Sequence, residues 1–328
     1  MAAVQECTDG DKEGSSKLII SASRRTDIPA FYSDWFLNRI RAGYAFVRNP
    51  MNVHQVSKVS LDRGVVDCVV FWTKNPGPLL PSLHLLREYQ YYFQFTLNPY
   101  DVRIEPRLPE KSTLVETFKR LSDTVGPHRV IWRYDPVMLG ADFDITYHEK
   151  QFAILASSLE GYSSKCIISF VDFYKKVEAR LKALRVVPVD ESQKRIVALR
   201  LATVARSYGL TLETCAEDIA TDEFGIEHAR CIDPVLIQGL LGARIKVEKD
   251  KNQRDPCGCV ASIDIGMYNT CRHGCRYCYA NFSQSSIDNN VASYRPESPL
   301  LCSELTNKDK VSERECKSCV MLQRSLID

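Results

Sequence analysis

Val65-Val-Asp67-Cys68-Val-Val-Phe71-Trp72 is an apolar, largely β-branched run that turns polar at once, in Thr73-Lys74-Asn75-Pro76. A run of this length with little polar interruption suits a strand buried on both faces, as in a parallel sheet, and the proline ends it. Similar runs occur on either side: Lys17–Ala22, Tyr91–Thr96, Arg129–Trp132, Lys165–Phe170 and Leu210–Cys215. Between them lie segments with helical spacing of apolar residues: Asp34 to Ile40, a helix through Leu83–Leu86, Ser112 to Thr124 with Ser112 as cap, and 191–207. Alternating strands and helices predict an α/β fold of parallel strands, and the number of repeated units favours a TIM-like barrel, full or partial, over the alternative of an open sheet.

The strands share a second property. Each ends in a polar cluster: Arg24, Arg25 and Asp27; Thr73, Lys74 and Asn75; Thr96 and Asn98; Arg133 and Asp135; Ser169 and Asp172; Glu217. In a parallel barrel these ends converge on one rim, where active sites form. Loops are polar in any protein, so a single cluster carries little weight. Phe-Trp-Thr-Lys-Asn-Pro and Trp-Arg-Tyr-Asp-Pro combine aromatic, charged and proline residues more densely than an ordinary loop.

The chain has 328 residues, 45% hydrophobic and 26% charged, enough to bury a large core. A formal charge of +2 gives no broad basic field, so nucleic acid is neither demanded nor excluded. No apolar run approaches a membrane span, and Met1 to Lys17 is polar and acidic rather than signal-like. The expectation is a disordered leader over 1–16, a barrel-like domain over 17–282 and an irregular, surface-wrapping or partly disordered tail over 283–328, working in the cytoplasm.

Thirteen cysteines without a secretory signal point to reduced thiols and metal ligation rather than disulfides, and most of them fall late in the chain. Cys271-Arg-His-Gly-Cys275-Arg-Tyr277-Cys278 is a compact thiolate claw. Three soft ligands in one loop can hold a corner of an iron–sulfur cluster and leave one iron open. A Cys3His zinc site completed by His273, and unligated thiols, are the competing readings. Cys257-Gly-Cys259 precedes the claw, while Cys215 and Cys231 flank the sixth unit. These four are a candidate second metal site, or one of them a fourth ligand for the claw. The alternative is ordinary buried thiols. Cys316-x2-Cys319, with Cys302, is a weaker knuckle.

The spacing Cys-x3-Cys-x-aromatic-Cys resembles the signature of radical S-adenosylmethionine enzymes. Ser21-x-Ser-Arg24-Arg25-Thr26-Asp27-Ile-Pro29, Phe71-Trp72-Thr73-Lys74-Asn75 and the run from Arg254 through Cys257-Gly-Cys259, Asp264-Ile-Gly266 and the claw to Asn281 resemble the uncharacterised family DUF1848, over roughly residues 18–300. That resemblance implies a C-terminal cysteine cluster similar to the one radical enzymes usually carry after their first strand. If Ser262–Gly266 is a strand beside Lys17–Ala22, the order is permuted and the geometry survives.

The expectation is a [4Fe–4S] protein, leaning to an enzyme that uses S-adenosylmethionine on a small-molecule or nucleotide substrate and draws electrons from a donor protein. Cys271, Cys275 and Cys278 would ligate; Tyr277, Asn75 and Asn98 would contact the cofactor; Arg24, Arg25, Asp27, Lys74, Arg133, Asp135 and Glu217 would form the reaction rim. Two other functions compete: an iron–sulfur electron carrier or redox sensor, and a zinc-stabilised barrel that binds a nucleotide or nucleic acid.

Overall fold

The structure, a computed structural model, describes residues 18–219 and 224–314. Eight strands form one parallel sheet: β1 Leu18–Ala22, β2 Val66–Thr73, β3 Tyr91–Thr96, β4 Val130–Val137, β5 Lys165–Phe170, β6 Thr211–Thr214, β7 Glu227–His228 and β8 Ile263–Asp264. Their order is β7-β6-β5-β4-β3-β2-β1-β8. Strands β1 to β7 add in sequence order, and β8 returns to pair with β1 at Ile20 with Ile263 and Ser21 with Asp264. The expected strand before the claw therefore exists, beside the first strand. The sheet has two edges, β7 and β8.

Alternation along the strands sorts the core into two layers. Ile20, Phe71, Phe93, Trp132 and Ile168 face the helices, together with Trp35, Phe118, Phe152 and Leu201. Ile19, Val70, Tyr92, Ile131 and Ile167 face the other way, against Cys231, Ile237, Cys259 and Val260. The helices of the first layer are α1 Ser33–Ala42, α2 Lys111–Val125, α3 Ile145–Ser158 and α5 Glu191–Ser207; α4 Lys175–Ala183 covers the rim and α6 Pro234–Leu241 the opposite face. Crossovers between strands added one beside the last fall on one face of the sheet, which is where these four helices lie. The Phe118 ring of α2 packs tilted against Phe95 with centroids 4.9 Å apart, and truncating so buried a ring costs about 3–5 kcal/mol.

Several local expectations change. Helix α2 starts at Lys111 with Glu110 as its cap residue and no side-chain cap, so Ser112 lies inside the first turn. The helix expected through Leu83–Leu86 is a 3-10 helix over Leu80–Leu86, with a proline in its first turn. The tail is more regular than its composition suggests. Ser283 caps a helix over Gln284–Ala292, and Lys310–Glu313 pairs with Gln55–Ser60, itself antiparallel to Tyr44–Arg48. Long-range contacts impose that order: Asp309 meets Arg48 at 2.7 Å, and Ser298 and Glu297 carbonyls accept from Trp35 and Arg39 of α1. The leader over 1–16, Cys316 and Cys319 lie outside the described residues, and no described helix is long and apolar enough to cross a membrane.

Candidate metal centre and polar rim

Strand β8 delivers the chain into the claw through Asp264. Its carboxylate accepts from Ser21 Oγ at 3.0 Å, Ser23 Oγ at 2.6 Å, the Arg24 amide at 2.8 Å and the Gly266 amide at 3.0 Å. One half-buried acid thus holds the ends of β1 and β8 together, and a charged acceptor makes the stronger kind of hydrogen bond. Beyond it, Asn269 to Asn281 form a loop stitched to itself and to the body. Asn281 Nδ2 donates to Cys271 O at 2.7 Å, Tyr32 Oη to Thr270 O at 2.6 Å, the Arg276 amide to Ile104 O at 2.9 Å, and Arg180 of α4 to Cys278 O at 3.1 Å. Gly274 has φ +73°, the left-handed turn that brings Cys271 and Cys275 back towards each other.

Cys271, Cys275 and Cys278 are free thiols that sense one another electrostatically. Burial lifts Cys271 well above the usual thiol range. Burial also raises Cys275, to about 12, against the pull of the nearby Lys74 ammonium. Cys278 is raised by burial while the Ala280 and Asn281 amides donate to its sulfur and pull the other way. These thiols keep their protons until a metal displaces them. As they stand, among the described residues, no three His, Cys, Asp or Glu side chains are arranged to hold a metal ion.

Around the claw, Asp27 is the hub. It caps the one-turn helix Ile28–Phe31 by accepting from Ala30 N, and accepts from Thr73 Oγ1 at 2.8 Å and Lys74 N at 2.7 Å; His273 Nε2 lies 2.8 Å away. The His273 Nδ1 is buried without a hydrogen-bond partner. Lys74 reaches Glu105 at 2.8 Å and lies 5.3 Å over the Tyr277 ring. Glu105 also accepts from Lys111 and Tyr277 Oη. Burial alone would raise its pKa, but the two ammonium groups outweigh that and bring it to about 2. For Lys74, burial lowers the pKa, and Glu105 more than restores it. Asn98 Nδ2 donates to Tyr277 Oη at 3.2 Å and to Asp135 O at 2.8 Å, so it does join the claw to β4.

Arg133 lies deeper. It donates to Asp135 at 2.9 Å, Gln94 at 3.3 Å and the Cys231 sulfur at 2.8 Å, and Asp135 also accepts from Ser169. The guanidiniums of Arg24 and Arg133 lie 5.1 and 5.2 Å over Trp72. Arg24 Nη2 and Trp72 Nε1 are buried without partners. Arg25 points to Gly266 O at 3.4 Å and lies over Tyr268.

Asp27, Lys74, Asn98, Tyr277 and the three cysteines are thus brought together, with Arg133 and Asp135 joined to them through Asn98. Two expected rim residues are engaged elsewhere. Asn75 closes a turn by accepting from Gly77 N at 3.1 Å, and Glu217 accepts from Phe170 N at 2.8 Å and pairs with Lys194 of α5 at 2.6 Å. Glu105 and Lys111 were not anticipated. Glu105 lies in a loop beyond β3, and only its two lysine partners reveal it. Cys257 and Cys259 gather with Cys215 and Cys231 rather than with the claw.

The family profile described as a domain of unknown function, DUF1848, matches residues 19–280. No curated protein matches the chain.

Proposed function

The chain belongs to the DUF1848 family, and we propose that it is an iron–sulfur protein whose Cys271, Cys275 and Cys278 hold a [4Fe–4S] cluster with one iron open to S-adenosylmethionine. The observation that carries this reading is the claw itself: three free thiols in one loop, Cys275 buried and Cys271 and Cys278 half-buried, close enough to raise one another's pKa, with amide donors lowering that of Cys278. Amide donors to sulfur suit cluster ligation. When bound, the pair supplies one-electron chemistry at a carbon–hydrogen bond, which the protein would confine and orient. Lys74, held by Glu105, sets a positive charge beside Cys275. Tyr277 forms a wall fixed by Glu105 and Asn98. Arg25, at the rim beside Gly266 O and the Tyr268 ring, would meet an anionic, small-molecule or nucleotide substrate. Strand order and one-sided helices favour a partial TIM-like barrel with this rim as its mouth. A donor protein would supply electrons, and the cytoplasm is the fitting compartment.

A second reading has its own observation. A histidine that donates one ring nitrogen to a carboxylate and keeps the other free is oriented as metal-binding histidines are. His273, with Asp27 at Nε2 and a bare Nδ1, has that form. It favours a Cys3His zinc centre in the same loop.

Anaerobic reconstitution, metal and sulfide analysis, and electron paramagnetic resonance with and without S-adenosylmethionine separate these readings. Iron and sulfide with a reduced signal that shifts on adding S-adenosylmethionine, lost in Cys275→Ala, supports the proposal. A signal indifferent to S-adenosylmethionine leaves an electron carrier. Zinc without iron in the claw overturns both.

A further inference from the structure

We infer that Cys215, Cys231, Cys257 and Cys259 form a second metal site, a tetrathiolate for one zinc-class ion that clasps the two edges of the sheet. The four residues come from three separate segments. Cys215 directly follows β6, Cys231 follows β7, and Cys257 and Cys259 precede β8. Cys215 and Cys231 sulfurs stand 3.1 Å apart, Cys259 lies close enough to Cys231 and Cys257 to shift their acidity, and the Ile232 amide next to Cys231 donates to Cys259 Sγ. Convergence of four thiols from distant segments is what a structural tetrathiolate requires.

The donors around them point the same way. Arg133 Nη1 donates to Cys231 Sγ at 2.8 Å, and the Ile232 amide donates to Cys259 Sγ at 3.4 Å. Arg24 lies close enough to feel Cys259 and Cys231, and its Nη2 is buried without an acceptor. Donors aimed at sulfur stabilise a thiolate, and an orphaned guanidinium nitrogen calls for more negative charge than four neutral thiols carry. Cys68 shows how a thiol behaves here when it only fills space: it lies in the same apolar layer and turns towards its own strand, at Val69 O.

Size favours a single ion over a second cluster. A tetrahedral ion with metal–sulfur bonds of about 2.3 Å holds its sulfurs about 3.8 Å apart. Cys215 and Cys231 now stand closer than that, so for this pair binding needs an opening of less than an ångström with loss of protons, and the described side chains, not set for a metal as they stand, must turn to complete the site. A cuboidal cluster would have to drive them much further apart against the floor of Ile19, Val70, Ile131 and Ile167. The place has a mechanical logic as well. Strands β7 and β8 are the sheet's edges, and past them Val260 N donates to Ile232 O at 3.3 Å. An ion on Cys231, Cys257 and Cys259 would tie the chain leaving one edge to the chain entering the other.

The test is zinc and iron analysis of the full chain purified anaerobically, with zinc-edge X-ray absorption on the wild type. The expected result is one zinc per chain beyond any the claw holds, in an all-sulfur shell, lost in Cys231→Ser/Cys259→Ser and kept in Cys275→Ala/Cys278→Ala. The absorption measurement needs no variant, so a misfolded double mutant leaves the proposal open to refutation. Absence of zinc, a Cys215–Cys231 disulfide in the purified chain, a shell of three sulfurs and one imidazole, or iron lost in place of zinc overturns it.

Discussion

His273 Nε2 lies 2.8 Å from Asp27 Oδ2, across 246 residues of sequence. That contact fastens the claw to the end of β1, and the same carboxylate also serves Thr73, Lys74 and Ala30. The thiolate loop therefore takes its position from an acid at the opposite end of the chain.

Asp27→Ala should be among the most damaging single changes near the site. Buried donors would lose a charged acceptor, at about 1–3 kcal/mol for each left unsatisfied. Denaturant unfolding should show a loss of about 3 kcal/mol or more. A loss below 1 kcal/mol would mean that these donors find other partners.

Glu105 gives an acid-side signature. Its folded pKa of about 2 lies below the ordinary value of 4.5. The stability it contributes is complete above pH 4.5 and disappears as pH falls towards 2, and the gap corresponds to about 3 kcal/mol. Stability of wild type minus Glu105→Gln, measured by urea unfolding, should shrink as pH is lowered through that window. A difference independent of pH would contradict the assignment.

His148 titrates in a different window. Burial depresses its pKa from 6.5 to about 4, while Nε2 meets Met138 O at 2.7 Å and Nδ1 meets Tyr134 Oη at 2.8 Å. A group held neutral in the fold supports stability fully above pH 6.5. That support declines as pH falls towards 4, by about 1.4 kcal/mol per unit. Nuclear magnetic resonance titration of the imidazole protons should give a midpoint near 4; a midpoint near 6.5 would remove this contribution.

Gly266→Ala tests how closely β8 approaches β1. An added Cβ would lie 2.1 Å from Ser23 Oγ and 2.6 Å from Ser23 Cβ. Overpacking of this kind costs about 1–3 kcal/mol. The thermal midpoint should fall, and Ser23→Gly should recover part of it. An unchanged midpoint would show that the segment can shift freely.

The strands were legible where burial on both faces leaves long apolar runs, as at Val66–Thr73 and Tyr91–Thr96, and α5 was legible from its spacing. The claw was legible because its cysteines lie close together in the sequence. Helix α4 leaves a weaker trace, since Val177 and Leu181 are its buried residues and its other positions are mostly charged. Rim polarity alone did not reveal that Asn75 closes a turn or that Glu217 pairs with Lys194, because a turn-forming amide and an acid paired to a helix have the same composition as a site. Glu105 and the sulfur contacts of Cys215 with Cys231 arise from three-dimensional proximity, which no local pattern encodes.

The return of β8 to the side of β1 also governs when the protein can become functional. During synthesis Leu18–Ala22 emerges early, yet its neighbour Ile263–Asp264 and the carboxylate that fixes Ser21, Ser23 and Arg24 come some 240 residues later. Until then one flank of the nascent sheet has an unpaired strand, and contacts of such long range form late. Assembly of the claw on its partner Asp27 must follow translation of nearly the whole chain. A product truncated before Asp264 would carry the rim residues of β1 and β2 with nothing to load.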